Sequence, residues 1–166
     1  MKKRKLAEIK NLNKNLYGTP KFFTGSHSKE YPKPLNKLRG YDFTTDLIDV
    51  GNNCVLLFAY RRRDLAIKCK FYAYFGLKTT DNKLFPLMIM HYHPDHKGIH
   101  SKLPCETDEQ IDYTSRELPG APELNLANGM EPDIRTDEGI NQLICLFCNA
   151  TGINIHGTDK QQESLF

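Results

Sequence analysis

No stretch of this sequence approaches the roughly 18 consecutive apolar residues of a membrane-spanning helix, so none is expected to cross a bilayer. The basic opening MKKRK is not followed by the apolar core of an export signal. Five cysteines make an odd set without the spacing of a disulfide framework. Together these absences point to a cytoplasmic protein with reduced thiols. There is no internal repeat, no glycine-rich loop of the kind that cradles phosphates, and no Ser–His–Asp signature. The net charge is only +3, too small by itself to demand a polyanionic partner.

The 166 residues suffice for one domain with a core that needs no disulfide or metal. Positive charge is clustered: MKKRK at the start, Arg61, Arg62 and Arg63 together, then Lys68 and Lys70. A solvated surface accounts for scattered lysines. Clustering beside aromatics is what a nucleic-acid groove requires, and both readings stand at this point.

Residues 3–16 bring Leu6, Ile9, Leu12 and Leu16 near helical spacing with lysines opposite, which predicts a basic amphipathic helix weakened by its asparagines. Prolines and glycines then punctuate 17–40, as an ordered surface arm or a linker, and His27 within it reads as a surface residue. Strands are expected at 54–61, 66–78 and 84–93, preceded by another at 41–50. In 66–78, Ile67, Cys69, Phe71, Ala73, Phe75 and Leu77 share one face, and Lys68, Lys70, Tyr72 and Tyr74 the other, the mark of a half-buried strand. TTDNK is a turn, and Pro86 asks for an edge or a bulge in the following strand. Residues 101–135 read as an irregular loop. A helix follows, capped by Thr136, buried through Ile140, Leu143, Ile144 and Phe147, and stopped at Gly152. The expected fold is α+β: a small antiparallel sheet, a meander of about four strands, with flanking N-terminal and C-terminal helices. The divisions are a basic helix and arm (1–40), a core domain (41–157) and a tail (158–166).

The chemically specific stretch is HYHPDHKGIH at 91–100, which holds four of the six histidines. In an extended chain His91 and His93 point the same way, and Pro94 ends the strand so that His96, Lys97 and His100 can fold back toward them. Neutral imidazoles suit zinc or another divalent metal, with His91, His93 and His96 as ligands and Asp95 as ligand or orienter.

Three metal-dependent families share parts of this pattern. HYHPDH resembles the H-x-H-x-D-H signature of metallo-β-lactamase-fold hydrolases, and LIDVG at 47–51 resembles their upstream strand and turn. That resemblance implies His91, His93, Asp95 and His96 as ligand-motif residues and His156 as a later ligand, but that fold sends a helix into an interval that is strand-like here. HYHP followed by PCETD resembles the JAMM isopeptidase pattern, implying His91, His93 and Asp108 as ligands, with Cys105 in place of the family's serine. HYH on a strand is similar to the histidine pair of HUH nicking enzymes, with Tyr113 the nominal nucleophile.

The same residues support chemistry without a metal. Ribonucleases need a base, an acid and a cation, and histidine, with an ordinary pKa of about 6.5, serves either proton role. His91, His93, His96 and His100 with Lys97 are then the catalytic candidates. Arg61, Arg62, Arg63, Lys68, Lys70, Tyr72 and Tyr74 are the substrate-binding ones, with the tyrosines placed to stack bases. The expected architecture is similar to that of small bacterial toxin ribonucleases, which implies RNA and a protein inhibitor or antitoxin as partners. The leading expectation is therefore a nucleic-acid hydrolase without a cofactor. Its alternatives are a zinc-dependent metallohydrolase and a non-enzymatic interaction protein with structural histidines. Cys145 and Cys148, spaced C-x-x-C among apolar residues, read as core thiols, as does Cys69. Cys105 offers a Cys–His pairing, and Arg116, Glu117 and Glu123 read as surface charges.

Overall fold

CVLLFAYR at 54–61 is apolar at every position before Arg61, which suits a strand covered on both sides. The computed structural model describes residues 6–24, 31–32, 35–38, 40–81, 83–94, 98–104, 113–114 and 131–157. In chain order the elements are α1 (Leu6–Lys10), β1 (Asn15–Tyr17), β2 (Phe22–Thr24), β3 (Phe43–Thr45), β4 (Ile48–Gly51) and β5 (Cys54–Arg61). They continue with β6 (Lys70–Lys78), β7 (Leu84–His93), β8 (Gly98–Lys102), β9 (Tyr113–Thr114), α2 (Asp137–Thr151) and β10 (Asn154–His156). Short 3-10 turns occupy Leu35–Lys37 and Ala66–Lys68. The described residues are thus mostly antiparallel strand with two helices, an α+β arrangement. None of these helices is long and apolar enough to cross a membrane.

The main sheet holds eight strands among the described residues, more than the four or so expected. Its order is β2-β3-β5-β6-β7-β8-β9, and β4 also pairs with β5. The segment expected as one strand at 41–50 is two, β3 and β4, both antiparallel to β5. Asn52 and Asn53 make the tight β4–β5 turn, both at positive φ (53° and 60°), the geometry of a type I′ hairpin in which Asn is favoured. Pro86 stands opposite Gly76 where the β6–β7 register shifts, so the bulge expected of it is present.

The basic N-terminal helix is shorter than expected. Only Leu6–Lys10 is helical among the described residues, and Asn15–Tyr17 instead pairs parallel with β10. Asn11, Asn13 and Asn15 are poor helix formers. Lys14, fully buried, donates its ammonium protons to the carbonyls of Ile9 and Leu12 and so satisfies the end of α1. Ile9 and Leu16 nevertheless enter the core, as the apolar spacing suggested.

Both faces of the sheet are covered. On one, Leu56, Phe58, Phe71, Phe75, Met88, Met90 and Tyr92 meet α2 through Ile140, Leu143, Ile144 and Phe147. On the other, Val55, Leu57, Ala59, Tyr72 and Tyr74 form a second cluster with Leu35, rimmed by Tyr31, Leu38, Tyr41 and Leu47. The expectation of a half-buried strand at 66–78 is therefore corrected. The strand starts at Lys70, because Ala66–Lys68 turns before it, and β6 is buried on both faces from Phe71 to Leu77. Tyrosine permits this, since its ring is apolar even though its tip is not.

Helix α2 follows its sequence signals. The Thr136 hydroxyl accepts the Gly139 N–H at 3.0 Å, and Gly152 closes the helix in the left-handed conformation at φ 72°. A β-carbon on Gly152 would lie 2.4 Å from the carbonyl oxygen of Lys10, so this glycine also lets α1 approach α2. The tail at 158–166, and Asp95, His96, Lys97, Cys105, Asp108, Arg116, Glu117, Glu123 and His27, lie outside the described residues.

Candidate functional site

Strand register decides which of the candidate side chains meet. Tyr72 stands opposite Ala59 on one side and His91 on the other, and His91 stands opposite His100. Arg61 stands opposite Lys70, and His93 opposite Gly98. Continuing the β6–β7 register one residue beyond Phe71 and Tyr92 sets Lys70 beside His93. Neighbouring strands are ~4.8 Å apart and side chains alternate. Arg61, Lys70 and His93 thus form one row at the end of the second face, and Tyr72, His91 and His100 form the next row in.

The ring geometry is consistent with these rows. The His91 and His93 rings lie nearly parallel, 6.1 Å between centroids, and the Tyr72 ring meets His91 edge-on at 5.3 Å. Tyr41, from the covering segment, packs on Tyr72 at 5.8 Å and places its ring 4.2 Å from Lys70 Nζ. His91, His93 and His100 are each partly exposed, so one edge of the cluster is open to solvent.

Electrostatics sort these groups by role. Burial, then the charges of Arg61 and Arg63, hold the Lys70 ammonium below its ordinary pKa, with Asp42 opposing. Burial pushes Tyr41 up to about 12 and Tyr72 and Tyr74 upward as well. At neutral pH these phenols remain protonated.

The three arginines diverge. Arg61 donates through Nε and Nη2 to the Lys68 carbonyl at 3.0 and 2.8 Å. Arg62 turns to the α2 side, where it donates to Ile134 O at 2.7 Å, pairs with Asp137 at 2.6 Å and lies over the Tyr60 ring. Arg63 pairs with Asp42 at 2.6 Å. Lys68 is exposed on the turn before β6. Tyr74 is fully buried and Tyr72 is 6% exposed, so their faces are taken up by packing under the covering segment. Of the substrate-binding candidates, Arg61, Lys70 and Tyr72 are the ones gathered beside the histidines.

No group of three or more His, Cys, Asp or Glu placed to hold an ion occurs among the described residues. His156 lies on β10, stacked on Tyr17 at 4.8 Å with its Nε2 2.8 Å from Asn15 Oδ1, and so belongs to the small parallel sheet. The interval between LIDVG and the histidines is a hairpin and two long strands with a short 3-10 turn at Ala66–Lys68, and no α-helix among the described residues. Tyr113 sits on a strand. Burial pushes Cys145 up to about 11 and Cys148 upward too, which disfavours the thiolate that zinc or redox chemistry requires.

No protein-family model, curated protein or solved structure matches this chain. The site is therefore read from its own residues. Sequence reasoning missed Gly40 and Tyr41, which come from the covering segment.

Proposed function

We propose that the chain is a small cytoplasmic ribonuclease, a hydrolase that cleaves RNA by acid–base chemistry without a metal. The observation that carries this reading is the gathering of Arg61, Lys70, His91 and His93, distant in sequence, into two adjacent rows of one sheet face. One imidazole removes the proton of a 2′-hydroxyl, and that oxygen bonds to the adjacent phosphorus. The bond to the 5′-oxygen breaks, and the second imidazole gives that oxygen its proton. The products are a 2′,3′-cyclic phosphate and a 5′-hydroxyl. Lys70 and Arg61 stabilise the charge that develops on the phosphorane oxygens. His100 orients His91 from the neighbouring strand; His96 and Lys97, also candidates for this chemistry, lie outside the described residues. In this reading the four central strands β5 to β8 are the working meander, and the helices are its support. An RNA-cleaving enzyme in its own cytoplasm needs restraint, which fits a protein inhibitor or antitoxin as its partner.

The test is cleavage of a defined RNA by purified protein with a chelator present. His91→Ala and His93→Ala are each expected to lower the rate about a hundred- to ten-thousand-fold. Chelator-sensitive activity, with a stoichiometric metal lost in both variants, would move the reading to a zinc hydrolase. Absence of any cleavage would favour a non-enzymatic interaction protein.

A further inference from the structure

Gly40 is exposed and bends the chain in front of the Arg61–Lys70 pair at φ +80°. A β-carbon at this position would lie 2.9 Å from Lys70 Nζ and 3.9 Å from Arg61 Nη1. The glycine thus lets the Lys70 ammonium lie close against its backbone, with Arg61 Nη1 beside it. Both cations are held in place. Arg61 spends Nε and Nη2 on the Lys68 carbonyl, which fixes its plane and leaves Nη1 toward Gly40. Lys70 Nζ rests against the Tyr41 ring at 4.2 Å. The nearby acid, Asp42, is occupied by Arg63 at 2.6 Å and by the Arg62 N–H at 3.3 Å. Two like charges side by side repel one another, and an anion between them reverses the sign of that energy.

We propose that Gly40, Arg61 and Lys70 form a cradle for a phosphoryl group, set in the row that ends at His93. The ligand chemistry is a phosphate oxygen, carried either by an internal phosphodiester of a single strand or by a terminal phosphate. The identity of the ligand as nucleic acid rests on the ribonuclease reading; the cradle itself does not depend on histidine chemistry. Gly40 has two roles here. It adopts the left-handed turn, and it lets the ammonium rest near the backbone where a β-carbon would push it aside.

The experiment is binding of a short fluorescent oligodeoxyuridylate, which lacks the 2′-hydroxyl and so reports binding without cleavage. Wild type, Lys70→Gln, Gly40→Ala and, as control, Lys78→Gln at the far end of β6 are titrated at several salt concentrations. Lys70→Gln is expected to bind about tenfold more weakly, the usual scale for one charge-assisted contact. Its slope of log affinity against log salt should fall by about 0.7, one phosphate contact on a single strand. Gly40→Ala, with every charge retained, should weaken binding too, and Lys78→Gln should keep the wild-type slope. Circular dichroism of each variant separates a folding defect from a lost contact. Comparing oligomers with and without a 5′-phosphate distinguishes a terminal phosphate from an internal diester.

No binding by wild type, or wild-type affinity and slope in both Lys70→Gln and Gly40→Ala, would overturn the cradle. Binding as expected without RNA cleavage would leave the cradle standing and remove the ribonuclease reading. Cleavage with unaltered variant binding would do the reverse.

Discussion

Raising the pH above 10 should unfold this protein cooperatively, because the two faces of the sheet bury phenols that resist ionising in place. Burial pushes Tyr41 and Tyr92 up to about 12, and Tyr72 and Tyr74 upward as well. Each group is protonated in both states below about 10, the ordinary tyrosine value. Above it the unfolded chain releases the proton and the folded chain keeps it, so stability falls as pH rises toward the folded pKa. One such group costs about 1.4 kcal/mol per pH unit, and four together roughly 5 kcal/mol per unit. Lys14 and Lys70 work in the opposite sense below their ordinary value of 10.5, since burial favours their neutral forms and the unfolded chain holds the extra protons. Two such groups do not offset four. A domain typically has roughly 5–15 kcal/mol in hand, so unfolding is expected within about one to three units above 10. The assay follows tyrosinate absorbance and far-ultraviolet circular dichroism in one alkaline titration. A substantial part of the absorbance change should coincide with loss of the dichroism signal. If every tyrosine ionised near 10 while the dichroism stayed constant, the burial of Tyr72 and Tyr74 described above would be refuted.

Two further substitutions test the packing. The Tyr74 hydroxyl is buried with no hydrogen-bond partner among the described residues, so Tyr74→Phe should be neutral or stabilising by about 1 kcal/mol in urea unfolding, and a loss above that size would show an unseen partner. Thr136→Ala removes the acceptor of the Gly139 N–H and should cost about 1 kcal/mol; an unchanged urea midpoint would mean that the cap is not formed in solution.

Helix α2 was legible because every local signal agreed: a capping threonine, acids in the first turn, a stripe at 140, 143, 144 and 147, and a terminal glycine. The central strands were legible as runs of apolar and aromatic residues. Alternation in 66–78 shows that two faces differ in polarity. It does not show whether the more polar face meets water, and here Leu35, Tyr41 and Leu47 from far along the chain cover it. The same pattern continues unbroken through Ala66–Lys68, where the chain makes a turn. Leu12 and Leu16 signalled burial correctly but not helix, because the pairing of β1 with β10 joins segments at opposite ends of the described chain.

The histidine pair at 91 and 93 follows from strand alternation, and its stacked rings are the outcome. The alignment of Arg61 and Lys70 with His93 follows only from register across three strands, which no local window contains. The divergence of Arg62 from Arg61 is likewise simple alternation, but which of the two shares the histidine face depends on where β6 begins. Gly40 carries no sequence mark that separates it from the other glycines of the arm.

The most direct measurement of the central claim uses an oligodeoxynucleotide carrying a single ribonucleotide, incubated with wild type, His91→Ala and His93→Ala. The account predicts one cut, on the 3′ side of the ribonucleotide, leaving a 2′,3′-cyclic phosphate and a 5′-hydroxyl, strongly slowed in both variants. Cleavage of an all-deoxy control, a different pair of ends, or equal cutting by the histidine variants would contradict it.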